Sequence, residues 1–230
     1  MKGLRHSLPW HWARLGYRAM PQNNRQDTVQ GGSTAVDTAD TAHKPLHGLH
    51  IPLRLELDAV PTAPLNIHQA TVLPEWIDYN GHLNMAYYVL MFDNATDRFF
   101  DLIDLGQDYV ERRNHSAFVL ETHVTYRQEV ALDDALRFTF QLIDADEKRL
   151  HYYFEMHHAT QNFLASTSEQ IALHVDLDAR CSAPFPASMK QRIDHVFTAH
   201  ADLPQPDGIG RSIGIRRRDQ PQHRLARRLM

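Results

Sequence analysis

Trp76-Ile77-Asp78-Tyr79-Asn80-Gly81-His82-Leu83-Asn84, running on into Met85-Ala86-Tyr87-Tyr88, is the stretch on which the reading of this chain turns. An apolar, β-prone run ending at Leu73-Pro74 precedes it, and a long helical pattern follows. Asp78 is therefore expected on a turn that ends a strand and opens a helix. Gly81 permits a positive φ or a close backbone approach by a ligand. Asn80 or Asn84 can cap the helix, whose first N–H groups and positive dipole end face whatever binds there. A carboxylate beside such donors suits acyl transfer: it attacks or activates water while the amides polarise a carbonyl. Asp-x-Asn-Gly is also an ordinary turn and capping sequence, so the flanking pattern has to decide.

Downstream, Tyr88, Met91, Phe92, Ala95, Phe99, Leu102 and Ile103 recur at helical spacing as far as Gly106, a natural C′ residue. One long apolar stripe over about 84–105 predicts a helix lying along a broad sheet face. Asp93, Asp97 and Arg98 fall on its more polar side, while Asp101 and Asp104 oppose the macrodipole at its C-terminal end. Upstream, Ile67, Val72 and Leu73 predict a strand within 66–73. Beyond the polar link Glu111-Arg112-Arg113-Asn114, strand patterns dominate. Phe118, Leu120, Val124 and Tyr126 share one parity. Leu136, Phe138, Phe140 and Leu142 alternate with polar residues, as do Leu150, Tyr152, Phe154 and Met156. Ala165, Thr167, Ile171, Leu173 and Val175 mark one face of a last strand. The turns Asp144–Glu147 and Ala159–Asn162 between these runs predict an antiparallel meander. The fold class is α+β, with the sheet wrapped round the helix because nothing else in the chain could cover that stripe.

Composition sets the frame. Net charge is −4 over 230 residues, with no general pull toward nucleic acid or an anionic membrane. The single cysteine, Cys181, rules out an internal disulfide framework and fits a reducing, cytoplasmic compartment. No apolar run approaches the ~18 residues of a membrane span. Among sixteen histidines, only His43, His47 and His50 show a metal-like spacing, and Pro45 interrupts it, so no metal site is expected. Residues 1–64 are expected to be an extension without a core, its first twenty residues basic and its next stretch polar. Residues 65–182 form the domain, and 183–230 a short helix near 187–199 followed by a basic tail.

With Asp78 three residues ahead of Gly81 and the helix directly behind, residues 66–182 resemble the hotdog-fold acyl-CoA thioesterases of the 4-hydroxybenzoyl-CoA thioesterase type. Asp144-Ala145-Asp146-Glu147-Lys148-Arg149-Leu150-His151, Thr167-Ser168-Glu169-Gln170, Leu173-His174-Val175-Asp176, Pro184-Phe185-Pro186 and Gly210-Arg211-Ser212-Ile213-Gly214-Ile215-Arg216-Arg217 further resemble the betainyl-CoA thioesterases, which occur alone or fused behind carnitine 3-dehydrogenase. The chain lacks a G-x-G-x-x-G after a strand, so it would be the stand-alone form.

The resemblance implies hydrolysis of betainyl-CoA to betaine and coenzyme A, with no cofactor beyond the coenzyme A of the substrate. It implies Asp78 as the catalytic carboxylate and a homo-oligomer, at least a dimer, whose exposed sheet edge is thereby covered. Gly81, His82 and Asn84 would serve the oxyanion or position water. A quaternary ammonium is held by aromatic faces, for which Trp76, Tyr79, Tyr87 and Phe118 are candidates beside Tyr88 and Tyr126. His123, with Glu121, would lie on a strand passing the site, and Arg127, Arg149 and Arg211, with Lys148, would meet the coenzyme A phosphates. Within the same fold the acid could instead be Asp93 or Asp97. The alternatives are a thioesterase for another acyl-CoA, aromatic or medium-chain, a dehydratase using His123 or His157, or a non-catalytic acyl-CoA binder.

Overall fold

The computed structural model describes Leu55, Leu57 and residues 61–215, so most of the expected extension and the basic tail lie outside the described residues. Strands β1 (Leu65–Thr71), β2 (His115–Tyr126), β3 (Ala135–Ala145), β4 (Arg149–His158) and β5 (Leu164–Asp176) form one antiparallel sheet in the order β1-β3-β4-β5-β2. A two-residue strand, β6 (Cys181–Ser182), adds along β5. Helices α1 (Met85–Leu102), α2 (Gln107–Arg113) and α3 (Ala187–His200) complete the order. The expected meander is β3-β4-β5, and β2 joins it from the far side.

The sheet wraps α1, as the hotdog reading requires. Met91, Phe92, Ala95 and Phe99 are fully buried along one stripe of that helix. Phe99 stacks on Phe140 at 3.9 Å between centroids, and Phe92 meets Phe138 edge-on at 5.7 Å. Such pairs add about 0.5–1.5 kcal/mol each beyond the area they bury. Parity in β3 and β4 is clean, and Leu136, Phe138, Phe140, Leu150, Tyr152, Phe154 and Met156 all lie in this core.

Parity misleads in β2 and β5. In β2 the register shifts between Val119, opposite Ala172, and Glu121, opposite Ile171. That bulge inserts one residue and reverses the faces. Val124 and Tyr126 therefore look toward α1, whereas Phe118, opposite Leu173, looks outward. In β5 the polar parity faces α1, because Ser168 stands opposite Phe154 and Gln170 opposite Tyr152. Gln170 accepts a hydrogen bond from the Tyr152 hydroxyl at 3.1 Å and donates one to Ser168 Oγ at 3.0 Å. The other parity is covered too. Past α3 the chain crosses the outer face, where Pro204 O accepts from Gln141, Asp207 O from Tyr153, and Glu169 from the Gly210 N–H at 2.9 Å.

A second helix stands where only a polar link was expected, and two acids lie against it. Asp101 packs against Gly106, the N-cap of α2, so closely that a Cβ on Gly106 would fall 1.9 Å from Asp101 Oδ1. Asp104 pairs with Arg112 of α2 at 3.1 Å. Asp104 thus has a partner on α2 and Asp101 lies against its N-cap, although both stand at the C-terminal end of α1. Leu55, ahead of the expected start at residue 65, also packs on the domain. The Leu55 N–H donates to Leu102 O at 3.1 Å, capping a C-terminal carbonyl of α1, and the side chain joins the core at 9% exposure. Leu55→Ala should cost about 2–3 kcal/mol, at the low end for a buried leucine, and lower the denaturant midpoint at constant slope.

Burial, aided by the nearby Arg98 charge, pulls the imidazole of His68 on β1 down from 6.5 to about 4. Above pH 6.5 the ring is neutral whether folded or not. Between 6.5 and about 4 only the unfolded chain binds the proton, so folding stability falls as pH falls through that window. His68→Gln should flatten this part of the profile of melting temperature against pH.

Candidate active site

The loop after the 3-10 turn Pro74–Trp76 is closed upon itself. Ile77 and Leu83 form a bridge, Asp78 N–H donates to His82 O at 2.9 Å, and Gly81 N–H donates to Asp78 O at 3.0 Å. Gly81 sits at φ +81°, the left-handed region that makes glycine the natural residue there. Asp78 Oδ1 accepts the Asn80 N–H at 2.7 Å and, more distantly, the His82 N–H at 3.5 Å. None of the described hydrogen bonds reaches Oδ2. The carboxylate is thus held through one oxygen and presents the other.

Three contacts fix this loop to the domain. Asn84 N–H donates to Trp76 O and Leu83 N–H to Val130 O, both at 2.9 Å. His82 Nδ1 lies 3.5 Å from Glu129 Oε2. Asn84 is the N-cap of α1, its side chain accepting the Ala86 N–H at 3.0 Å. That leaves the Met85 amide, at the first helical position, without an acceptor among the described residues, as expected at a helix start. Between the loop, the start of α1 and the end of β2 opens a cavity of about 490 Å³. Its lining includes Asp78, Tyr79, Asn84, Met85, Tyr88, Tyr126 and residues 127–129. Burial raises the pKa of both Tyr88 and Tyr126, so each is a neutral phenol. A carboxylate, an open helix N-terminus and aromatic walls in one cleft suit the hydrolysis of an acyl ester.

Residues 72–193 match the model of the thioesterase-like superfamily. The chain belongs to that family. It is 39% identical to the betainyl-CoA thioesterase of Pseudomonas aeruginosa over 151 residues, 66% of this chain and 95% of that protein. It is 37% identical over 161 residues to the L-carnitine dehydrogenase/betainyl-CoA thioesterase of Rhizobium meliloti, which is longer: the match takes in 70% of this chain and only 32% of that one. The chain therefore spans about a third of such fused relatives. Among solved structures, a hypothetical protein of Staphylococcus aureus in complex with CoA superposes with a TM-score of 0.63 at 30% identity, over 69% of this chain and 100% of that one.

In this thioesterase-like chain the expected site residues separate into groups. Asp78, Tyr79, Asn84 and Arg127 line the cavity together. Gly81 and His82 shape the loop, but the amides of Gly81 and Asn84 are already committed within it, and Met85 offers the open donor instead. Trp76 and Tyr87 stack on each other at 5.5 Å, bracing the loop, and Tyr79 stands 97% exposed at its tip. Phe118 faces the other side of the sheet. His123, Arg149 and Arg211 line a separate cavity of about 700 Å³ on that outer face, among Glu121, Asp144, Asp146 and Glu169. There Arg149 Nε donates to Asp146 Oδ2 at 2.7 Å, and His151 Nε2 meets Glu169 Oε1 at 2.9 Å. These residues do not line the Asp78 cavity.

Asp93 and Asp97 lie exposed on α1, outside the Asp78 cavity, and His157 pairs with Glu155 at 3.0 Å. Glu129 carried no sequence signal; it lines the cleft beside the Leu83–Val130 bond that joins the two loops. Gly81→Ala would force an alanine to φ +81°, costing about 1–2 kcal/mol locally. The loop should relax, and turnover should fall more than global stability, which parallel rate and melting measurements would show.

Proposed function

We propose that this chain is an acyl-CoA thioesterase that hydrolyses betainyl-CoA to betaine and coenzyme A during carnitine breakdown in the cytoplasm. The observation that carries the reading is Asp78, a carboxylate anchored through one oxygen in a cleft at the start of α1. The 39% identity to a betainyl-CoA thioesterase, over 95% of that protein's length, supports the acyl group. The thioester carbonyl sits with its oxygen toward the open Met85 amide and the positive end of α1. Asp78 then acts by one of two routes with the same products. In one, its oxygen attacks the carbonyl carbon, the C–S bond breaks to release coenzyme A thiolate, and water cleaves the mixed anhydride. In the other, Asp78 takes a proton from the water that attacks, and the proton passes to the departing thiolate. In a single turnover in ¹⁸O-water, label in Asp78 would establish the first route, with water attacking the Asp78 carbon of the anhydride; the second route never labels it. Neither route needs a cofactor beyond the coenzyme A of the substrate.

The same reading includes a second copy of the chain. β2 is hydrogen-bonded to β5 along one edge, and no described strand pairs with its other edge. Twelve residues of open backbone, with Val119 and Tyr126 exposed along them, favour pairing between two copies. Arg149 and Arg211, remote from Asp78 in one subunit, would then serve the coenzyme A bound across that edge, beside Arg127.

Asp78→Asn keeps the turn and removes the base, so kcat should fall by roughly 10²–10⁴ with KM little changed. Thiol release from betainyl-, acetyl-, benzoyl- and long-chain acyl-CoA measures both points. A fully active Asp78→Asn enzyme would overturn the mechanism, and equal rates on the uncharged esters would overturn the acyl group alone.

A further inference from the structure

In a betainyl thioester one CH₂ separates the quaternary nitrogen from the carbonyl carbon, a span of roughly 2.5 Å as across the Cα of an amino acid. The cation must therefore lie in the same cavity as the carbonyl that Asp78 acts upon. A trimethylammonium group donates no hydrogen bond. What holds it is the face of an aromatic ring and nearby diffuse negative charge. Several aromatic residues near the loop cannot supply this. Trp76 and Tyr87 occupy each other's faces at 5.5 Å, and Phe118 is on the far side of the sheet. Tyr88 is only 4% exposed. Tyr126 is different: Tyr88 holds it edge-on, at 5.1 Å and 81°, while 48% of it stays exposed at the cavity wall.

Three residues beyond Tyr126, Glu129 lines the same cavity, its Oε2 3.5 Å from His82 Nδ1. After burial, its charge is among the influences that raise the Tyr88 pKa. Arg127 also lines the cavity, but its guanidinium reaches toward Gly208, where a Cβ would lie 3.9 Å from Nη2, and its charge acts on Tyr153 of the outer face. We propose that Tyr126 and Glu129 form the subsite for the trimethylammonium group, the ring face against its methyls and the carboxylate beside it. They are specificity residues, selecting a cationic acyl group over a neutral one of equal shape. The inference rests on the betainyl-CoA reading and adds to it the residues that recognise the charge.

The test compares betainyl-CoA with 3,3-dimethylbutanoyl-CoA, its uncharged isostere, by the ratio of their kcat/KM values. The wild-type enzyme should favour the charged ester. Glu129→Gln and Tyr126→Leu should each reduce that ratio by roughly 2- to 30-fold, the scale of a cation–π or partly screened charge contact. Tyr126→Phe, which keeps the ring face and its packing on Tyr88, should retain it. A wild-type ratio near one would defeat the betainyl reading and this subsite with it. A high wild-type ratio that survives both Glu129→Gln and Tyr126→Leu would overturn the subsite while leaving the betainyl reading intact.

Discussion

The seating of the α1 aromatic stripe on the concave face of the sheet is the interaction on which the rest depends. Phe92 and Phe99 lock against Phe138, Phe140 and Phe154, so the helix has one axial position and one rotation. That position decides where its first amides emerge. Asn84 caps the helix at the mouth of the cleft, and the loop that closes on Asp78 follows from a helix that could not start elsewhere. The geometry of the cleft is thus set by packing some turns away from it.

The cleft itself is made by stitching two loops that are far apart in sequence. Leu83 donates to Val130, and His82 lies near Glu129, so the turn after β2 is drawn against the turn before α1. The pairing brings Tyr126 and Glu129 into the same space as Asp78. It also relieves the loop of backbone groups that would otherwise be buried without partners. Position and chemistry are coupled here, because the bonds that shape the wall also leave one oxygen of Asp78 uncommitted.

The outer face of the sheet follows a different logic. The chain after α3 crosses β3, β4 and β5 through Pro204, Asp207 and Gly210, and Glu169 clamps it together with His151. β5 is therefore covered on both sides, which is why its inner face can hold a satisfied polar group such as Gln170 among aromatic rings. His123, Arg149 and Arg211 line the acid-rich cavity there, apart from the one that holds Asp78.

The sequence by itself determined the parts whose signal is local. The α1 stripe, the alternation in β3 and β4, the Asp78–Gly81 turn and the Asn84 cap each depend on residues a few positions apart, and periodicity reports them directly. The hotdog arrangement was legible for the same reason, since one long stripe needs one sheet to cover it. Tertiary structure alone decided the rest. A single inserted residue in β2 reversed the face of Phe118, and parity could not announce it. The inward face of β5 was hidden because burial on both sides removes the contrast that alternation relies on. Asp101 and Asp104 looked misplaced until α2 supplied the N-cap and the arginine they lie against. The Leu55 N–H bonds to Leu102 O across the chain, and the Leu83–Val130 bond joins the two loops whose Asp78 and Glu129 line one cavity. Those contacts join residues distant in sequence, so no local window contains both partners and only the folded chain brings them together.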